Sequence, residues 1–220
     1  GFLPTLISDD VDKMRAAIAA VDDAIAQGVP GVLGIHLEGP YIAPARRGAH
    51  DAAKFRVPDA DEIDLVCSLR NGRTVLTLAP DRVSPELVHT FAQRGVIVCA
   101  GHSDASYEQA RAALDAGARG FTHLYNAMSQ LQGRAPGMVG AALEDRDSWC
   151  GIIVDGHHAH AASLRVALAA KPPGKLMLVT DAMPPVGADE ADFVLAGNHI
   201  TVRNGRCETD DGVLAGSALD

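Results

Sequence analysis

The chain has 220 residues, 47% of them hydrophobic, which suits one large domain better than several. A formal net charge of -9 excludes a general nucleic-acid or membrane surface, since both need clustered Lys and Arg, so an anionic ligand would have to find its cations locally. No apolar run reaches the roughly 20 residues that span a bilayer, and the first residues lack a signal-peptide pattern, so a soluble, cytoplasmic protein is expected.

Residues 2–8 read as a short buried strand, and Ser8 or Asp9 is expected to cap an Ala-rich helix over 11–27 that Gly28 closes. Residues 32–38 form an apolar run that turns polar only at its end, before Gly39 and Pro40 stop it. The stretch 41–58 has no period and is long for a plain connection, which marks it as a candidate functional loop. A helix is expected over 59–71 and a strand over 74–79. The next helix runs over 84–95 with Ser84 as cap and Pro85 at its first position. A strand over 96–101 is followed by a helix over 106–117.

The stretch Gly120-Phe-Thr-His-Leu-Tyr-Asn-Ala-Met128 then reads as a strand ending in a functional loop, in which His123 offers an imidazole and Asn126, with the backbone N–H after it, can hold an oxyanion. A Gly- and Pro-rich loop follows around 133–140, then a strand over 150–155, a helix over 159–171 and a strand over 176–181. From residue 184 onward the pattern is irregular or hairpin-like. The four cysteines, Cys67, Cys99, Cys150 and Cys207, are far apart and include no C-x-x-C pair. This argues against a disulfide framework or a thiolate zinc site and fits a reducing compartment.

Seven strands alternating with helices imply parallel pairing, and no Gly-x-Gly-x-x-Gly turn follows the first strand. The expected fold is therefore α/β, a TIM-type (β/α)8 barrel lacking its first strand, with remnants of a small β-domain at the C-terminus. The barrel is expected over 1–183, and 184–220 is expected to close the substrate site. The chain starts inside a strand-like run without an initiator Met, which reads as a fragment.

The polar residues of these strands gather at their C-terminal ends: His36 and Glu38, His102, His123, Asp155 with His157 and His158, and Asp181. In a barrel that end is the active-site face. Glu38, His102 and His123 supply one carboxylate and two imidazoles, a set suited to zinc, or to iron or another first-row divalent ion, with positions open for water. His36 shares a strand face with Glu38 and is a candidate ligand or a hydrogen-bond partner to one. Asp181 is the candidate general base. His89, His160 and His199 sit in helical or hairpin contexts that suit surface roles.

The runs His36-Leu-Glu-Gly-Pro-Tyr41, Ala100-Gly-His-Ser103, Thr122-His-Leu-Tyr-Asn-Ala-Met128, Gly151-Ile-Ile-Val-Asp-Gly156 and Val179-Thr-Asp-Ala182 resemble, in order, the N-acetylglucosamine-6-phosphate deacetylase family of the amidohydrolase superfamily. The resemblance implies removal of the acetyl group from N-acetylglucosamine 6-phosphate by a cytoplasmic homodimer with a divalent metal, zinc first. It implies Glu38, His102 and His123 as metal ligands and Asp181 as catalytic acid/base. His50 would contact the acetamide carbonyl, with Ala49 beside it. Asn126, Ala127, Arg134, His158, Leu214 and Ala215 would contact the substrate, Arg134 across the homodimer interface.

The alternatives are an amidohydrolase for another N-acylated sugar or amino compound, and a non-catalytic truncated barrel that only binds sugar phosphate. Two departures stand out: the family's upstream strand and two-ended β-domain are not complete here, and His157 stands where the family commonly has Leu.

Overall fold

The structure, a computed structural model, describes residues 1–188 and 192–219. Its main body alternates strand and helix: β1 (Thr5–Ile7), α1 (Val11–Ala26), β2 (Gly34–Glu38), α2 (Ala60–Val66), β3 (Arg73–Leu78), α3 (Pro85–Gln93) and β4 (Ile97–Ala100). It continues through α4 (Tyr107–Asp115), β5 (Gly120–Phe121), α5 (Gly137–Glu144), β6 (Trp149–Ile152), α6 (Ala161–Ala170) and β7 (Leu176–Leu178). The seven strands form one parallel sheet in sequential order, with β1 and β7 at its two edges. Four further strands, β8 (Asp192–Leu195), β9 (Asn198–Arg203), β10 (Arg206–Thr209) and β11 (Leu214–Ser217), make a small antiparallel sheet, consistent with the short hairpins and small β-domain expected at the C-terminus.

Two apolar clusters hold the main body together. Met14, Ile35, Leu76 and Phe91 lie in the first, between α1–α3 and the early strands; Phe121, Met128, Met138 and Ile152 lie in the second, among α4–α6 and the later strands. Removing this surface from water is the main stabilising term. The parallel register places Ile7 beside Glu38 and Glu38 beside Thr77, so the strand ends come level and their polar residues share one rim.

Local signals set several helix starts as expected. Ser84 accepts the Leu87 N–H with Pro85 next in line, and Ser106 forms a capping box with Gln109. Three expectations are corrected. Neither Ser8 nor Asp9 caps α1: the N-cap is Asp10, without a side-chain bond, because Ser8 is turned toward His50. The helix expected over 59–71 ends at Val66, because the Arg70 and Asn71 N–H groups donate to the buried Asp22 carboxylate instead of continuing the helix. The loop expected around 133–140 contains the start of α5, which is buried from Gly137 to Leu143. Its glycines weaken a local helix signal, but an all-apolar surface is stable only when covered on every side.

The C-terminal end of α5 is secured by Lys171, whose Nζ donates to the carbonyls of Ala142 (3.0 Å) and Asp145 and to Ser148 Oγ (3.2 Å). Burial pushes this ammonium's pKa down. Lys171→Met removes the three donations and leaves the buried Ala142 carbonyl and the part-buried Asp145 carbonyl without this donor, so a stability loss of about 2–3 kcal/mol is expected, read as a lower urea midpoint at unchanged m-value. Among the described residues no helix is long and apolar enough to cross a membrane.

Candidate active site

Glu38 is the last residue of β2, His102 lies just past β4, His123 just past β5 and Asp181 just past β7. Glu38 Oε1 lies 3.1 Å from both His102 Nε2 and His123 Nε2, and the two nitrogens are 2.9 Å apart. All three side chains are buried. Donor atoms around a divalent ion at about 2.1 Å stand roughly 3.0–3.4 Å from one another, which is close to the spacing seen here.

Proton positions point the same way. His102 Nδ1 is 2.8 Å from the Arg46 carbonyl, which can only accept, so Nδ1 carries a hydrogen and the ring is held with Nε2 toward Glu38. His123 Nδ1 is buried without a hydrogen-bond partner. Burial pushes His123 down, but the hydrogen bond from its ring to Glu38 and the charges of Glu38 and Asp181 outweigh it and raise its pKa to about 9. Glu38 is held well below the usual carboxylate range, because donation from His102 and His123 outweighs the effect of burial. The Glu38 oxygen and the two Nε2 atoms thus converge on one point whose carboxylate favours positive charge, either as protons on the rings or as a divalent cation in their place, and the donor set fits such a cation.

His50 also brings a ring nitrogen within 4.8 Å of the Glu38 and His102 ligand atoms. Its tautomer argues against ligation. The backbone N–H of Ser8 can only donate, and it meets His50 Nδ1 at 3.3 Å, with Ser8 Oγ at 2.8 Å, so Nδ1 accepts and Nε2 bears the proton. Burial, followed by the neighbouring His102, pushes the His50 pKa down to about 3. His50 is therefore a neutral N–H donor facing the cavity, suited to a carbonyl oxygen, and His123 is the better third ligand.

Asp181 is positioned from two sides of the molecule. Its carbonyl accepts the Ser217 N–H at 2.8 Å, Ser217 Oγ donates to the Thr180 carbonyl, and Ala182 bridges to Ser217, so β11 clamps the segment after β7. Gly216 has φ +68, and a Cβ there would lie 2.4 Å from Met183 Cγ and 2.9 Å from the Asp181 carbonyl, so the clamp closes only on glycine. Burial and then the charge of Glu38 raise the Asp181 pKa, as suits a group that exchanges protons.

Seven non-glycine residues have positive φ among the described residues, and five of them, His102, His123, Tyr125, Ala127 and Asp181, are at or next to this site. Strained backbone concentrated there means that the surrounding packing, not local preference, aims these side chains.

The side chains surround a cavity of about 440 Å³ that also includes Ala49, Asn126, Ala127, His158, Leu214 and Ala215. Ala49 packs against the small core of the antiparallel sheet, which seats the 41–58 loop under β8–β11. Asn126 turns its amide N–H groups to the carbonyls of His123 and Leu124, both at 3.3 Å, and so braces the turn as well as lining the cavity. His158 Nδ1 donates to Asp155 Oδ2 at 2.6 Å, while Asp155 Oδ1 receives the N–H groups of His157 and His158. His157 itself is exposed, as are His89, His160 and His199. Arg134 is exposed on the segment before α5 and does not line the cavity.

The sequence reading did not single out Arg46, Arg47, Asn198, Thr209 or Asp211, which also line the cavity. Arg46 pairs with Asp104 at 2.7 Å, whereas Arg47 makes no salt bridge to a described residue. Two adjacent arginines in an aperiodic loop were a usable signal for the first pair. Nothing local marks residues that the antiparallel sheet brings in from the far end of the chain.

No family profile matches the chain. It is 47% identical over 219 residues to a Shewanella protein named N-acetylgalactosamine-6-phosphate deacetylase, an alignment covering 99% of this chain and 55% of that protein. It is 37% identical to a Vibrio furnissii protein named N-acetylglucosamine-6-phosphate deacetylase, covering 99% of this chain and 55% of the other. The crystal structure of N-acetylglucosamine-6-phosphate deacetylase from Pasteurella multocida superposes with a TM-score of 0.95 at 37% identity, covering 100% of this chain and 57% of that one. The chain thus spans a little over half the length of the proteins it matches.

Proposed function

We propose that this chain carries the catalytic centre of a metal-dependent deacetylase that converts N-acetylglucosamine 6-phosphate to glucosamine 6-phosphate and acetate. The observation that carries the reading is the buried Glu38, His102 and His123 triangle beside the half-buried Asp181. Similarity to deacetylases over nearly the whole chain supports the substrate class. A second reading, the C4 epimer N-acetylgalactosamine 6-phosphate, is favoured by the name of the 47% identical relative. We further read residues 1–183 as part of a (β/α)8 barrel, whose strand order is sequential and parallel like that of this sheet, and 184–220, of which 189–191 and 220 lie outside the described residues, as the segment that closes the substrate site. A cytoplasmic homodimer belongs to the same proposal, with Arg134 reaching a second copy's site, in keeping with its exposure here.

Glu38, His102 and His123 would hold the divalent cation, zinc by the mixed nitrogen and oxygen donors. Bound there, it supplies positive charge that acidifies water and draws electron density from the acetyl carbonyl. The protein's own groups do the rest. His50 Nε2–H donates to the carbonyl oxygen as negative charge develops on it. Asp181 takes a proton from water as the water oxygen bonds to the acetyl carbon, then delivers that proton to the sugar nitrogen as the C–N bond breaks. Acetate and a free amine leave. Arg47 and His158, which line the cavity with Ala127, are the partners for the phosphate in this reading.

Zinc-loaded protein incubated with each epimer should release acetate from at least one, with the sugar amine appearing in equal amount. Absence of acetate from both overturns the proposal in favour of a different N-acyl substrate or a barrel that binds sugar phosphate without turnover. Arg47→Ala should raise KM for the phosphorylated sugar about tenfold with kcat nearly unchanged, the size of a charge-assisted hydrogen bond to a partly exposed anion. Steady-state kinetics on phosphorylated and unphosphorylated substrates, the latter unaffected, checks this.

A further inference from the structure

Both ring nitrogens of His36 are occupied by hydroxyls: Nε2 lies 2.8 Å from Thr77 Oγ1 and Nδ1 lies 3.2 Å from Thr5 Oγ1. Thr77 Oγ1 in turn lies 2.7 Å from Thr122 Oγ1. His36 is therefore no ligand in this arrangement. Its hydrogen bonds run sideways across the sheet, one level below Glu38 on the same strand face.

Each member of this layer adjoins one of the candidate ligands. His36 is two residues from Glu38, and Thr77 is the register partner of Glu38 on β3. Thr122 immediately precedes His123. Gly101 immediately precedes His102, and a Cβ at Gly101 would lie 2.8 Å from Thr77 Cγ2 and 3.0 Å from Thr122 Cβ. The two threonines meet only because the chain just past β4, at Gly101, carries no side chain between them. Their bond spans β4 and ties β3 to the segment after β5, with His102 between.

His102 and His123 have φ of 47° and 32°, conformations that persist only where the surroundings over-determine them. We propose that His36, Thr77 and Thr122 are positioning residues, a hydrogen-bonded layer that sets the spacing of the Glu38, His102 and His123 triangle and thereby the affinity of the site for a divalent cation. This rests on the metal-centre reading above. The layer acts through the ligands' backbones and touches neither ion nor substrate. Metal centres in general depend on such outer partners, and their loss weakens affinity while leaving the fold intact.

The test is zinc affinity, measured by competition with a chromogenic chelator, together with thermal unfolding of the metal-free protein. Thr77→Val removes the hydroxyl at constant shape and Thr77→Ser keeps it; His36→Phe removes both ring bonds. Thr77→Val and His36→Phe are expected to weaken zinc binding about 10–100-fold and Thr77→Ser less than about threefold, with the metal-free Thr77→Val protein unfolding near the unsubstituted temperature. Unchanged zinc affinity in Thr77→Val overturns the layer, as does an equal loss in Thr77→Ser, which would mean the methyl group matters and not the hydroxyl. Should His36→Phe fail to fold, the threonine pair and Thr122→Val decide. An unsubstituted protein that binds no zinc overturns the metal-centre reading and the layer with it, whereas normal binding with unaffected variants overturns the layer alone.

Discussion

Asp181→Asn lowers kcat by about 10³-fold, equivalent to about 4 kcal/mol of transition-state stabilisation, while zinc affinity changes by less than about tenfold. The side chain keeps its shape and its backbone clamp to Ser217, so the site remains assembled. What disappears is, among the described residues lining the cavity, the acid outside the Glu38, His102 and His123 triangle whose pKa is raised, by burial and by the charge of Glu38. An amide cannot accept a proton from water or hand it to the amine, and neither His50, locked as a neutral donor by Ser8, nor His158, bonded to Asp155, is placed to take over both transfers. Acetate release under saturating N-acetylglucosamine 6-phosphate measures the effect. A variant retaining more than a tenth of the parental kcat would remove Asp181 from the mechanism, and undiminished ligand binding without any parental turnover would favour the binding-only reading.

Glu38→Gln should be as damaging by a different route. Glu38 Oε1 is the atom common to both histidine contacts, and its negative charge is the principal reason the site favours a cation. Replacing it with a neutral amide removes the negative charge of the proposed ligand, so zinc affinity should fall by more than the about 10–100-fold typical of losing an outer partner. Zinc per chain after dialysis, measured by atomic emission, should drop from near stoichiometric to near zero, and turnover should return only partially in excess zinc. Full zinc retention by Glu38→Gln would mean that the ion is held elsewhere and that the triangle is a buried hydrogen-bonded cluster.

Much of this site was legible in the linear chain because strands in a parallel sheet end at a common level. Once residues 32–38, 96–101 and 120–123 read as strands, the polar residues at their ends had to share a rim, even though Glu38 and His123 are 85 residues apart. The choice between His123 and His50 as third ligand was a different matter. Both are buried beside His102, and no spacing rule separates them; the Ser8 N–H does so, by assigning the His50 proton to the far nitrogen. His36 shows the same limit, since alternation placed it on the Glu38 face but left open whether it would touch an ion or a hydroxyl.

The sequence by itself determined the alternation of strands and helices and the level at which the candidate site residues gather, because these follow from hydrophobic period, capping residues and strand polarity, all local properties. The tertiary structure alone decided the burial of α5, the early end of α2, the proton positions on His50 and His102, and the clamp of β11 on Asp181. Each of these depends on a partner distant in the chain: a covering surface, the Asp22 carboxylate, a backbone N–H or carbonyl, and a glycine that lets two segments touch. Positive φ at His102, His123 and Asp181 belongs with these features. Local preference opposes that conformation in a non-glycine residue, so only packing from several elements at once can hold it.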